Sequence, residues 1–497
     1  MVGNELEILA AFVVYLGVMV TIGFLYYKKT NSVSDYILGG RGLNKFVTAL
    51  SAEASDMSGW LLIGVPGLAY LSGMSVIWIA IGLIIGTFLN WKFIAKRLRV
   101  YTKNANDSLT LPDFFKNRFG DNSDIIGAIS AIFILIFFLI YTSAQFVASG
   151  KLFNTVFGVD YTTALLIGSL IVVLYTFTGG FKAVCLTDFI QGCLMFFALL
   201  IVPIMALAIL GGPGNAIAEI EQINPSLLNP FLNPDGSPLT IIAVVSMLAW
   251  GLGYFGQPHI LVRFMAIKNP GEIKEARAVA MVWVIISLFA AVAIGVIGRV
   301  FLPQTLAGAE SETVFMVMTG EVFFSFLAGI IFCGILAAIM STASSQLLVS
   351  ASAVSQDLYK TYLKSDATDR QLIWISRFSV LAVAICAIVI AVNPDSFVFN
   401  IVSYAWAGFG AAFGPIVIMA LFWKRTTLQG ALAGIIVGGL TVLIWMQFEF
   451  FGLYEIVPGF IFSMIAIYVV SIRTAPPDDS IVKVFEETEK ELAESPD

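Results

Sequence analysis

Long apolar stretches recur along this chain thirteen times, at residues 6–27, 44–72, 74–98, 125–157, 161–178, 184–209, 239–265, 277–302, 320–355, 371–391, 397–422, 428–449 and 452–473. An α-helix rises 1.5 Å per residue, so about 20 apolar residues cross the ~30 Å hydrocarbon layer of a bilayer. Only helices and closed barrels satisfy every backbone group there. The expected fold class is an all-α polytopic membrane protein with about 13 transmembrane helices. A mean hydropathy of +0.92 leaves too much apolar surface for a water-soluble core to hide.

An odd number of crossings puts the two termini on opposite sides. Basic residues decide which side is which. Lys28, Lys29, Arg41 and Lys45 follow the first stretch, and Lys92 to Arg118 follow the third. Arg263 to Arg277 follow the seventh, and Lys360 to Arg377 the ninth, with further clusters after the eleventh and the last. Counting Lys182, this side holds every Lys and Arg of the chain's 27 except Lys151 and Arg299. The positive-inside rule makes it the cytoplasm, with the N-terminus outside and the C-terminus inside. With Glu5 and Glu7 and no basic residue before the first stretch, that stretch reads as a retained anchor and not as a cleaved signal. Residues 1–473 then form a single transmembrane domain, and 474–497 an acidic cytoplasmic tail.

The second stretch contains T-A-L-S-A-E-A-S-D-M-S-G-W-L-L-I-G-V-P at 48–66, which places Glu53, Ser55, Asp56, Ser58 and Gly59 where a plain span is driest. A carboxylate at that depth costs roughly 2.5 kcal/mol or more on insertion scales and marks a functional candidate. Asp56 is that candidate. The Met57-Ser58-Gly59 run and Pro66-Gly67 lower helix propensity, so a broken span is expected, of the kind that frees backbone carbonyls for a cation at mid-membrane. The plain alternative is a polar face packed on neighbouring spans.

If the core is an inverted repeat of five spans, about 44–209 and 239–422, the seventh stretch is the partner of the second. It reads W-G-L-G-Y-F-G-Q-P-H at 250–259, with Gly251, Gly253, Gly256 and Pro258 close together. The stretches at 6–27, 428–449 and 452–473 flank this core. Trp250, Tyr254 and Phe255 form either a wall for a small amphipathic solute or an aromatic packing layer. In the ninth stretch, the Ala338 carbonyl and the Ser341 and Thr342 hydroxyls share one helix surface. Facing carbonyls of a broken span, they make an oxygen cage suited to a hard cation; alternatively the hydroxyls bond their own helix. Asp188 in the sixth stretch either lines a cytoplasmic exit or is an interfacial carboxylate. Gly408 to Gly414 reads as small residues for close helix packing and not as a dinucleotide loop.

I-L-G-G-R at 37–41, the run at 48–60, W-G-L-G-Y-F-G-Q-P-H at 250–259, I-L-A-A-I-M-S-T at 335–342 and S-Y-A-W-A-G-F-G-A-A-F-G-P at 403–415 together resemble the sodium:solute symporter family, over nearly the whole chain and in order. The resemblance implies a core of two inverted five-helix repeats with broken helices, the fold of amino-acid/sodium symporters. It implies a secondary transporter coupling inward sodium movement to uptake of a solute, L-proline in the branch it most resembles, in a bacterial cell membrane. For sodium it implies the backbone oxygens of Ala54, Met57 and Ala338, the hydroxyls of Ser341 and Thr342, and the Asp56 carboxylate. For the solute it implies Ser58, Gly59, Tyr141, Trp250, Tyr254 and Pro258, with Arg41 on the cytoplasmic side. Glu53 departs from the pattern, where relatives usually carry Gly: it either places a second carboxylate near the site, with an effect on ion affinity or pH dependence, or faces a wet cavity or a cationic partner.

Other functions find little support. The cysteines (185, 193, 333 and 386) fall at no metal-ligand spacing and the sole histidine is His259, so no cofactor and no metal beyond sodium is expected. There is no basic patch for nucleic acid and no acid-base pair for an intramembrane enzyme. Within transport, the alternatives are a sodium-coupled carrier of another small solute, such as a different amino acid, a vitamin or a carboxylate, and a channel.

Overall fold

The computed structural model describes residues 4–27, 32–178, 180–302, 304–448 and 450–494. Lys28 and Lys29, counted above with the basic side, lie outside them, as do residue 449 and the tail end at 495–497. Among the described residues the chain is helical, and all thirteen apolar stretches fall on helices. By length and apolarity, ten helical runs can cross a membrane, or eleven if the bent pair within 241–266 counts as one span. The expected thirteen is not reached by that measure for two reasons. Residues 45–104, two of the expected spans, follow one another as contiguous helical segments with no intervening loop, and the fifth is apolar only over Tyr161–Phe177. The ordinals of the sequence stretches are kept below as names.

The second span is an α-helix over Lys45–Gly59, a π turn over Trp60–Gly64 and a second α-helix over Val65–Ser72. Its start is fixed by Asn44, whose side chain accepts from the Phe46 and Val47 N–H groups, satisfying donors left free at a helix end. The break lies at Ser58, which has φ +55° and ψ −175°. The seventh span runs Ile241–Leu248, winds into a tight 3-10 segment over Ala249–Gly256, and resumes after Gln257 as Pro258–Ala266, with a 46° bend. Proline at the first position of the resumed helix needs no N–H partner, which lets the helix restart there.

Burial sorts the spans into centre and rim. In the ninth and eleventh spans 83% of the apolar window is buried in protein, against 33% in the first, tenth and twelfth. The ninth packs on the first, second, fourth and sixth spans. The eleventh lies on the 3-10 segment of the seventh, where its glycines serve close packing: Gly410 meets the Gly253 backbone and Gly408 the Phe137 ring. On the basic face the two broken spans are joined by a short backbone ladder, Leu43 N–H to Ala266 O (3.2 Å) and Lys268 N–H to Leu43 O (2.8 Å). The acidic tail forms a helix over Asp479–Glu494 that lies on Ala95–Asn104 of the third span, with Phe485 buried against Tyr101 and Glu489 paired to Arg97.

The third span meets the break of the seventh backbone to backbone. A Cβ added at Gly86 would sit 2.3 Å from the Gly251 carbonyl oxygen. We expect Gly86→Ala to force these helices apart at a cost of about 1–3 kcal/mol, seen as a lower unfolding temperature of the purified protein and loss of transport. Gly17→Ala, which meets nothing within 4 Å, should change neither.

Candidate functional site

Four of the oxygens expected to hold sodium come together. The Ser341 hydroxyl donates to the Ala54 carbonyl at 2.7 Å and lies 3.2 Å from the Ala338 carbonyl; the Thr342 hydroxyl reaches Ala54 O at 3.4 Å. All four residues are fully buried. These hydroxyls do both things the sequence left open, since Ser341 bonds its own helix as well as the broken span. Met57 is equally buried, but its carbonyl accepts the Trp60 N–H.

Asp56 belongs to a neighbouring set. Its carboxylate accepts from the Tyr254 hydroxyl at 2.7 Å, and its carbonyl from the Tyr141 hydroxyl at 3.2 Å. It lines a small cavity of about 10 Å³ with Met57, Trp60, Tyr141, Trp250 and Trp406. The indoles of Trp60 and Trp250 stack at 5.0 Å and 27°, Tyr254 stands edge-on to Trp406 at 5.1 Å and 86°, and the Trp406 indole N–H donates to Trp250 O at 2.8 Å. Trp250 and Tyr254 both line this cavity, and Trp250 is also packed among Phe399, Trp406 and Tyr454. Phe255 does not line the cavity and packs against Gly414. Trp60 and Trp406 were missed, because a tryptophan inside an apolar span carries no periodic or spacing signal. The indole N–H of Trp60 is buried without a partner.

Several expected solute residues stand apart. Ser58 and Gly59 are off the cavity: the Ser58 hydroxyl accepts the Trp60 N–H at 3.0 Å, and the Gly59 N–H donates to Gln145 at 3.0 Å. The break turns them toward the fourth span. Pro258 lines a separate void nearer the basic face, with Val262 and Asp357, because the 46° bend carries it past the aromatic wall. Among the described residues no cation pairs with Glu53. It is 2% exposed, accepts from the Trp91 indole at 3.0 Å, and keeps its other oxygen without a partner.

Asp188 is not an interfacial carboxylate, being 0% exposed. Arg263 pairs with it at 2.8 Å and also donates to Ser51 (2.7 Å), Ser345 (2.6 Å) and the His259 carbonyl. Ser51 in turn donates to Asp188 at 2.7 Å. Arg263 had been counted among the basic-face cations; the helix Pro258–Ala266 is buried at all nine positions, so its arginine points inward. Arg41 is likewise held, with its guanidinium on Asp107 (2.8 Å), Met265 O (2.7 Å) and Ser108 O (2.9 Å). On the opposite face Glu312 is buried in an ion pair with Lys151 and accepts the Val398 and Phe399 N–H groups.

Helices broken at paired positions, hydroxyls gathered on a freed carbonyl and a carboxylate beside an aromatic cavity thus lie next to one another in the core. The family model described as "Sodium:solute symporter family" matches residues 36–438. The chain belongs to the sodium:solute symporter family. Its relatives include the sodium/proline symporter of Escherichia coli strain K12, 48% identical across 98% of this chain and 97% of that one. The osmoregulated proline transporter OpuE of Bacillus subtilis strain 168 is 47% identical across 98% and 99%. Among solved structures, a Na+-coupled sialic acid symporter in a substrate-bound outward-open state superposes with TM-score 0.78 at 20% identity, over 95% of this chain and 99% of that one. The protein is thus a multi-pass membrane transporter with sodium as the coupling ion, and not an enzyme.

Breaking a buried ion pair by removing one partner strands the other charge. We expect Arg263→Gln to cost about 3–5 kcal/mol, and the double variant Arg263→Gln, Asp188→Asn to lose less than that single one. Thermal unfolding in detergent measures both.

Proposed function

We propose that this symporter carries L-proline into a bacterial cell, one sodium ion entering with the solute, with the basic face cytoplasmic, the N-terminus outside and the C-terminus inside. The observation that carries the reading is the shared helix break. Ala54, which receives the cation-binding hydroxyls, and Asp56, which lines the solute cavity, stand two residues apart on the last turn before Ser58. A change in one is felt by the other without intermediates. The names of the 48% and 47% identical relatives support proline as the solute.

In this reading Ala54 O, Ala338 O and the hydroxyls of Ser341 and Thr342 hold sodium, and the Met57 carbonyl joins when the break widens. The Asp56 carboxylate faces the ammonium of the solute and adds negative potential for the ion. Trp250, Tyr254 and Tyr141 cover the pyrrolidine ring, and the free Trp60 N–H offers a donor for the solute carboxylate. Ser58 and Gly59 act through the shape of the break. Arg41 and the Arg263–Asp188 pair position the helices on the basic face. The two repeats, 44–209 and 239–422, supply one broken helix each. A sodium ion entering down the membrane potential gains about 2.3 kcal/mol per 100 mV, enough to drive a solute of no net charge.

Reconstitution into liposomes with and without an inward sodium gradient, against a panel of amino acids, vitamins and carboxylates, tests the function; uptake of another solute in preference to proline defeats it. Ser341→Ala and Thr342→Ala should raise the sodium concentration for half-maximal uptake severalfold, and leave solute affinity at saturating sodium near wild type. Asp56→Asn keeps the size and the bond to Tyr254 but removes a full charge from a poorly solvated place. It should abolish sodium-driven uptake, and with it the tightening of proline binding by sodium, which linkage requires to be reciprocal. Survival of that tightening in the Asn variant would remove Asp56 from the coupling.

A further inference from the structure

The Arg263–Asp188 pair is closed on the side of the site toward the basic face. Two further spaces lie on that side. Pro258, directly after the break of the seventh span, lines a void of about 20 Å³ together with Val262, Ser352, Thr110 and Asp357. Thr110 and Asp357 also line a cavity of about 360 Å³ that opens on the basic face, as do Asp113, Lys116 and Lys360. Thr110 and Asp357 therefore stand between the two spaces. Their common wall is the end of the ninth span, where the helix loosens into π turns over Ala353–Leu363.

Charge in this vestibule is unevenly satisfied. Lys116 is paired with Asp124. Asp113 accepts the Leu109 N–H and the Asn117 amide. Asp357 is 8% exposed; one carboxylate oxygen takes the Thr110 hydroxyl at 2.8 Å, and the other is buried without a partner. Lys360 is exposed and pairs with no carboxylate among the described residues. An unsatisfied carboxylate in the interior costs about 1–3 kcal/mol or more, and here it borders the void at Pro258.

We propose that this vestibule is a second, cytoplasmic-facing solute site: a zwitterionic amino acid leaving the central cavity places its ammonium on the free oxygen of Asp357 and its carboxylate toward Lys360. The acid lies deep and the base at the mouth, so the solute descends ammonium first. The inference rests on the proline reading above and adds to it a release station that governs access from the inner face.

The experiment measures proline exchange at saturating sodium in right-side-out and inside-out membrane vesicles, which report the outer and inner half-saturating concentrations separately. Asp357→Asn is isosteric and can retain the Thr110 bond, and Lys360→Gln changes an exposed side chain, so neither is expected to disturb folding. Each should raise the inner half-saturating concentration about tenfold, the loss of one charged hydrogen bond, with the outer one shifted less than about twofold. Equal shifts on both faces, or no shift in either variant, would overturn the proposal. An inner shift for Asp357→Asn with none for Lys360→Gln would mean a cation-only site and also overturn it. A wild type that exchanges another solute but not proline would defeat the function reading as well, and is told apart because it needs no variant.

Discussion

The structure turns on one backbone conformation. Ser58 is a non-glycine residue at φ +55°, ψ −175°, a region that costs on the order of 1–3 kcal/mol and persists only where the surroundings impose it. Around it the helical ladder is interrupted, and backbone groups turn to side chains of other spans. Ala54 O takes Ser341 and Thr342, Asp56 O takes Tyr141, and the Gly59 N–H goes to Gln145. Every residue from Thr48 to Gly67 is buried, so none of these groups has water as an alternative. The bonds that hold the strain are therefore the same ones that join the second span to the fourth and the ninth.

The sequence announced the break because polar residues and Gly cannot be placed cheaply at mid-membrane, and its location was legible to within a residue or two. That Ser58 and not Gly59 takes the unusual conformation was not legible. Propensity points to glycine, and only the Gln145 amide and the close Ala148 and Ile339 side chains show why position 59 must be small instead. The glycines of the seventh span were read as a helix breaker; the structure shows them to be contact points too, since a Cβ at Gly253 would strike the Trp406 indole at 1.9 Å. The hydroxyl cluster followed from helical spacing and its partner Ala54 from the resemblance; the structure supplied their contacts.

What sequence patterns hid was the pairing of charges. Arg263 lies at the end of an apolar stretch, where lysines and arginines ordinarily reach the interface, and Asp188 sits eight residues after Gly180. Nothing in either neighbourhood says that the two meet in the interior, because the bend at Gln257 decides where the second half of the seventh span points. The same bend removes Pro258 from the solute cavity. The acidic tail was also opaque: its amphipathic helix has meaning only against Arg97, Lys424 and Arg118, which three different segments bring to one face.

Two buried ion pairs consequently bracket the site, Arg263–Asp188 toward the basic face and Lys151–Glu312 toward the other. Taken singly, a buried pair adds little net stability, because the desolvation of both charges offsets their attraction. Its partners can therefore separate into a water-filled opening at small net cost, whereas an apolar seal of equal area would always favour closure. A carrier needs that balance: its two closures must lie within a few kcal/mol for ion and solute to select between them. Glu312 adds a directional element by accepting the Val398 and Phe399 N–H groups at the start of the eleventh span, the helix that also lines the cavity through Val402 and Trp406. Closure on that face is thus transmitted by one rigid helix to the aromatic wall that encloses the solute.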